Sequence, residues 1–336
     1  MEAGEGSGKD PSRWDVKSEV RDLCQAFADG LRDSLREKLH AVYVYGAVAF
    51  PETDYTGDVD FHVIVTEPPT EAERAALLGL HDRLARDFPP LGAELDGYYI
   101  LLADARRSER PRHLLFADLV DDSWALHRAH ILAGQCISLH GPDPKTIYVP
   151  PTRSEIEGAL RGELDYVVAH LVQYPAYCVL NLCRLLHSHE TGDVVTSKTA
   201  SAAWASVRLP TWRPLIDAAR RSYAHEDTAE DRLALSTGVG TFYEFAVGLI
   251  ERVQTADGHQ RHHAGSEHRQ RGGFRNRAVS QHPVVAQLEF SQIAAHIGGA
   301  GILLKQVGDF RCGTRAKTGG GQIFNVRLPR STKITQ

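Results

Sequence analysis

A chain of 336 residues is longer than one minimal core requires and is expected to form two domains with additional segments. Apolar residues make up 42% and charged residues 24%, ordinary for a soluble globular protein; the start is polar, with no apolar h-region, and no unbroken run reaches the roughly eighteen apolar residues expected of a membrane span. The net charge of −5 conceals an asymmetry, +8 over residues 257–336 against −13 elsewhere; the acidic body argues against nucleic acid as a main partner and suits a cationic small molecule.

Residues 1–13 are expected to be a disordered leader. In the next stretch Val20, Leu23, Phe27, Leu31 and Leu35 recur at helical spacing. Two β-rich runs follow, "AVYVYG" at 41–46 and "DFHVIV" at 60–65. The stretch "TEAERAALLGLHDRLARDF" predicts an amphipathic helix, with Thr70 as N-cap and Glu73 closing a capping box. "LDGYYILL" predicts a third strand. The order helix, strand, strand, helix, strand fits a small mixed sheet packed on helices, an α/β (α+β) domain over residues 14–110.

A connecting segment spans 111–144, with a helix in "DSWALHRAHILAG" and a strand in "QCISLH". Residues 145–256 carry a series of helical patterns separated by turn signals and are expected to form an α-helical bundle. Five cysteines lack CxxC spacing, which points to reduced thiols and a cytoplasmic protein; Cys178 and Cys183 lie within an apolar helix pattern and read as core filler. Residues 257–336 are rich in His, Arg and Gly at their start, lack clean periodicity and are expected to be a basic, disordered tail.

Asp58 and Asp60 stand at the mouth of the second strand, where alternation sends both to one face while Val59 and Phe61 face the core. At ~4 Å and an effective dielectric near 20 their repulsion would be about 4 kcal/mol, which a shared cation removes. Mg²⁺ suits oxygen ligands and binds through one or two carboxylates together with phosphates. Taken alone, the pair also fits a solvated strand end. Gly46 and Gly57 add backbone freedom where a phosphate would approach, and either Asp96 or Glu94 could join the pair from the third strand. Three carboxylates around Mg²⁺ suit phosphoryl or nucleotidyl transfer, the third serving also as base. His62 shares the face and is expected at the solvent side.

The stretch "YGAVAFPETDYTGDVDFHVIV" resembles the glycine-serine, serine-aspartate-x-aspartate motif of DNA polymerase β-like nucleotidyltransferases. Together with "VLNLCRLLHSHETGDVVTSKTASAAW" and "LPTWRPLIDAARRSY", it is similar to the aminoglycoside (3″)(9) adenylyltransferases, which modify streptomycin and spectinomycin. The resemblance implies Asp58 and Asp60 as Mg²⁺ ligands and Asp96, with Glu94 beside it, as base and third carboxylate. It also implies contacts to ATP from Gly46, Ala47, Gly57, Arg184, Lys198 and Tyr223. Arg184 interrupts an otherwise apolar stretch, as an arginine opposing a triphosphate would.

Ala47 and Gly57 replace the two motif serines, Asp96 is shorter than the glutamate of the resembled family, and "VQYPAY" takes the place of an acidic stretch. A tryptophan expected after "RHLLF" is absent, with Leu119 near its place and Trp124 expected to pack in the core. The implied activity is transfer of AMP from ATP to a hydroxyl of a small, polar, cationic acceptor of aminoglycoside or aminocyclitol type, by a monomer. Transfer to a protein or RNA end, as in toxin–antitoxin pairs, and nucleotide binding without catalysis are the alternatives that the departures leave open.

Overall fold

In helix α1 (Ser18–Leu35) the five apolar residues spaced for one face are all buried, and burial of each such side chain contributes about 1.5–3 kcal/mol. The computed structural model describes residues 16–50, 58–116 and 123–267, with side chains up to residue 255. The expected leader, Gly57, Leu119 and residues 268–336 lie outside these.

Strands β1 (Leu39–Tyr45), β2 (Val59–Val65), β3 (Leu95–Leu101) and β4 (Ile137–His140) form one mixed sheet in the order β3-β2-β1-β4. β1 is antiparallel to β2 and β4, and β2 runs parallel to β3. β4 comes from the segment read as a connection and pairs with β1 at the opposite end of the sheet from β3. Between β2 and β3 lies α2 (Glu71–Asp87), whose first turn carries the capping box that the sequence predicts: the Thr70 side chain accepts from the Glu73 amide and Glu73 accepts from the Thr70 amide.

One face of the sheet, with Val42, Val44, Val59, Phe61, Val63 and Val65, packs on α1 and α2. The other face carries Tyr43, Tyr45, Ile64 and Ile100, and it is covered by the short α3 (Leu102–Ala105), by Trp124 and Ile131 of α4 (Trp124–Leu132), and by Ile147 and Tyr148. The alternation along β2 was right, but this face is not a solvent face. His62 is wholly buried, its Nδ1 paired with the Tyr148 hydroxyl at 2.9 Å and its ring 5.2 Å from that of Trp124. The expectation of a solvent-side histidine is therefore corrected: the covering layer, from α3 to Tyr148, arrives from distant parts of the chain, beyond the reach of strand periodicity.

The helical half comprises α5 (Arg153–His170), α6 (Pro175–Thr191), α7 (Lys198–Arg208), α8 (Arg213–Tyr223) and α9 (Ala229–Glu267). α6 is central, with Cys178, Val179, Leu182, Cys183 and Leu186 buried among the other helices. α9 continues through 257–267, the first part of the stretch expected to be disordered. Its Ala229–Thr255 portion, with a window mean hydropathy of 1.4, is long and apolar enough to cross a membrane, which the search for unbroken apolar runs overlooked. One face of that portion buries Leu235, Val239, Phe242, Ala246 and Ile250 in the bundle core, while 28% of its most apolar window is buried in all.

α4 belongs to both halves. Trp124 and Ile131 pack on the sheet side, whereas Ala125 and Leu126 belong to the core of the bundle. Between them Arg128 is the bulkiest wholly buried side chain among the described residues. Its guanidinium donates to the carbonyls of Val149 (2.8 Å) and Ser108 (3.3 Å) and to the Glu155 carboxylate, and it lies 5.7 Å from the Trp124 ring centroid. Glu155 is itself the closing residue of the α5 capping box begun by Thr152. Burial pushes the Glu155 carboxyl up, but its bonds to Thr152 and Arg128 outweigh that and hold it at about 2.

Candidate active site

The carboxylates meet at the end of the sheet where β1 stops and β2 and β3 start. Asp60 is in register with Tyr45 on one side and with Asp96 on the other. Asp58 is exposed just before β2, and Glu94 precedes β3, where its backbone carbonyl accepts the Val59 N–H at 2.9 Å. Asp96, rather than Glu94, therefore lies directly beside Asp60 in the ladder.

After β1 the chain makes a 3-10 turn over Gly46–Ala49, which includes Ala47. Gly46 has φ +73°, and a Cβ built there would lie 1.8 Å from Asp60 Oδ2. Two constraints thus coincide: a left-handed backbone and a carboxylate seated against the main chain. Both reasons concern Asp60 and not only phosphate access.

Burial raises the pKa of Asp60 well above the usual carboxylate range; Asp58 and Asp96 raise it further, and Lys198 and Arg184 act in the opposite direction. Asp58 is raised in the same direction by the loss of water around its carboxylate, although the residue as a whole is exposed, with Lys198 opposing. The two cations come from the helical half, so the structure brings Asp58, Asp60, Asp96, Arg184 and Lys198 into one electrostatic neighbourhood. Among the described residues no three His, Cys, Asp or Glu side chains are drawn together tightly enough to enclose a metal by themselves. An all-oxygen, mutually repelling set of carboxylates fits a hard divalent cation that takes its remaining ligands from water and phosphate.

Arg184 lies on α6, half-buried, with Nη2 2.8 Å from Glu163 Oε2 of α5. The buried Asn181, one turn earlier on α6, donates to the same Glu163 oxygen at 2.8 Å. Lys198 opens α7 immediately after the N-cap Ser197, whose side chain accepts from the Ala200 amide. A cation at this end of a helix opposes the macrodipole, so its placement needs compensation from elsewhere. The ammonium lies 4.2 Å from the Tyr177 ring centroid and 5.2 Å from that of Tyr223, whose hydroxyl it reaches at 3.4 Å. Burial disfavours its charge and Arg184 opposes it, but Tyr223, Tyr177 and Asp58 prevail and its pKa lies above the ordinary lysine value.

α4 supports the same region. His130 donates from Nε2 to the Val194 carbonyl at 2.8 Å, steadying the loop that leads to Lys198. Burial, with Arg184 nearby, holds the His130 pKa down at about 4 despite the bond to Val194, so this histidine is neutral around pH 7. Glu163, Tyr177 and His130 were not read from the sequence. For Tyr177 a signal existed: Tyr177, Asn181 and Arg184 recur at i, i+4 and i+7, one face of α6.

Residues 149–246 match the family model for the C-terminal domain of aminoglycoside adenylyltransferases. Over these residues the chain is similar to that family's C-terminal domain. Spectinomycin 9-adenylyltransferases from Staphylococcus aureus are 33% identical over 91 residues, 27% of this chain, and the match spans 35% of those relatives' length. The fold is similar to that of the spectinomycin adenyltransferase AAD(9) from Enterococcus faecialis, solved with ATP and spectinomycin. The TM-score is 0.54 at 16% identity, over 68% of this chain and 98% of that one. At that identity the structural likeness is one of fold: an α/β nucleotidyltransferase-like domain followed by a helical region.

Proposed function

We propose that the protein transfers AMP from ATP to a hydroxyl of an aminocyclitol or aminoglycoside of the spectinomycin and streptomycin type. The observation that carries this reading is the meeting of Asp58, Asp60 and Asp96 from the sheet with Arg184 and Lys198 from the helices. Carboxylates opposed by cations in one neighbourhood suit a metal-bound triphosphate, and the names of the relatives supply the acceptor class.

Asp58 and Asp60, with Asp96 beside them, would hold Mg²⁺, which when bound supplies the positive charge that offsets both the carboxylates and the triphosphate. Arg184 and Lys198 orient the phosphates and take up charge on the leaving pyrophosphate. Asp96 accepts the proton of the acceptor hydroxyl. The acceptor oxygen bonds to the α-phosphorus as the bond to the pyrophosphate oxygen breaks. Tyr223 holds the Lys198 ammonium from its hydroxyl, and the 3-10 turn at Gly46 and Ala47 leaves backbone amides, not the missing serine hydroxyl, to face phosphate. A cationic acceptor accords with the acidic body of the chain.

The test is incubation of the purified protein with ATP, Mg²⁺ and either spectinomycin or streptomycin, following pyrophosphate release and an AMP-sized mass increase of the drug. Modification of one or both is expected. Pyrophosphate release with other hydroxyl acceptors but neither drug would refute the acceptor class alone, and no ATP turnover with any acceptor would refute the reaction.

A further inference from the structure

Lys198 occupies an awkward place. It opens α7, where the helix dipole disfavours a cation, and Arg184 lies close enough to repel it. The nearest face offered to its ammonium is the ring of Tyr177, at 4.2 Å; the Tyr223 ring is 1 Å farther and contributes mainly its hydroxyl at 3.4 Å. Tyr177 in turn is braced by Tyr166 of α5 in an edge-to-face contact, with centroids 5.7 Å apart and planes at 68°. On α6, Tyr177 shares a face with Asn181 and Arg184, so one helix orients both cations of the site: Arg184 from its own backbone, and Lys198 through an aromatic ring.

We propose that Tyr177 is a positioning residue for nucleotide binding, its ring face holding the Lys198 ammonium toward Asp58 and the triphosphate. The proposal rests on the nucleotide reading above and goes beyond it, since it assigns Tyr177 a part played through Lys198. The geometry permits both contacts at once. An ammonium has three N–H donors, and a ring face engages one side of it, leaving the others for phosphate oxygens. A free lysine would lose rotamer entropy on meeting the nucleotide; one already resting on a braced ring loses less. "VQYPAY", which ends in Tyr177, stood out in the sequence only as a departure from an acidic stretch. The ring gives that departure a use.

The experiment uses the full chain labelled with ¹³C,¹⁵N-lysine, with the Lys198 signals assigned by their loss in Lys198→Met. Ring current should shift the Lys198 methylene signals upfield in the wild type and in Tyr177→Phe, which keeps the ring. In Tyr177→Leu the shift should vanish and Lys198 should titrate at lower pH. Calorimetry with Mg·ATP should show affinity about ten-fold weaker for Tyr177→Leu and within about two-fold of wild type for Tyr177→Phe, in line with a partly desolvated cation–π contact. Unchanged lysine signals and affinity in Tyr177→Leu would overturn the proposal, as would equal losses in Tyr177→Phe. A wild type with shifted Lys198 signals that fails to bind Mg·ATP would sink the nucleotide reading and Tyr177's part in it while leaving the ring–ammonium contact standing, so the two failures are told apart.

Discussion

The sheet half and the helical half of the site treat charge in opposite ways. On the sheet, Asp58 and Asp96 both act on Asp60, which stays well above its ordinary pKa even with Lys198 and Arg184 opposing. On the helices each cation is already provided for: Arg184 by Glu163, and Lys198 by the Tyr177 ring and the Tyr223 hydroxyl. The cationic side is thus arranged in advance, whereas the anionic side carries an electrostatic cost that a bound cation would relieve. Strain placed at carboxylates and order placed at cations is a division that suits a metal-dependent transfer site.

Removing a member of the anionic side breaks this comparison most severely. Asp60→Ala is expected to lower AMP transfer by at least about 10³-fold, the scale on which essential charge-stabilising groups act. Pyrophosphate release checks it, with circular dichroism showing the fold retained; a loss of less than about ten-fold would mean that Asp60 does not serve the reacting phosphate.

The next largest effect concerns what holds the halves together. Arg128→Met leaves the Glu155 carboxylate and two carbonyls without their buried donor and should cost about 3 kcal/mol of stability, read by urea unfolding. A change below about 1 kcal/mol would show that the bonds from Arg128 add little to apolar packing at the junction.

The smallest effect sharpens the comparison by separating activity from stability. Asp60→Asn removes a carboxylate whose pKa is raised in the folded state, so the inactive variant should melt roughly 2–4 °C above the wild type at pH 8 without Mg²⁺. The sign follows from linkage. A carboxyl with a raised folded pKa binds its proton more tightly when folded, so the wild type loses stability as pH rises from the unfolded value through the folded one. The advantage of Asn should accordingly be full above the raised pKa and vanish as pH falls toward 4. A melting difference that does not change with pH would place the origin of any stabilisation elsewhere.

Local features were readable in the sequence to the extent that their causes are local. The capping box at Thr70 and Glu73, the buried stripe of α1 and the inward Val59 and Phe61 depend on spacings within a few residues, and each was read directly. The placement of Asp60 in one neighbourhood with Arg184 and Lys198 was reached through resemblance, since it lies far from both along the chain. His62 was misread because Trp124 and Tyr148 cover it from a distant part of the chain. The strand in "QCISLH" was read as such and is β4, but its place in the sheet was not, because its pairing with β1 is entirely non-local. Glu163 gave no signal on its own, for a glutamate on an amphipathic helix reads as solvated until its partner is known.

The double allegiance of α4 bears on how such a chain can be recombined. Ala125 and Leu126 are shaped to the bundle, Trp124 and Ile131 to the sheet, and Arg128 and His130 reach across to Glu155 and Val194. A chimera that imports a foreign helical half by crossing over at residue 145 would keep a helix fitted to the wrong partner. A crossover before residue 124 would instead carry a bundle-matched helix onto an unmatched sheet. Neither seam is clean. Acquiring a new helical half would require recoding one face of a nine-residue helix, a small enough change for stepwise substitution and too specific for a single exchange.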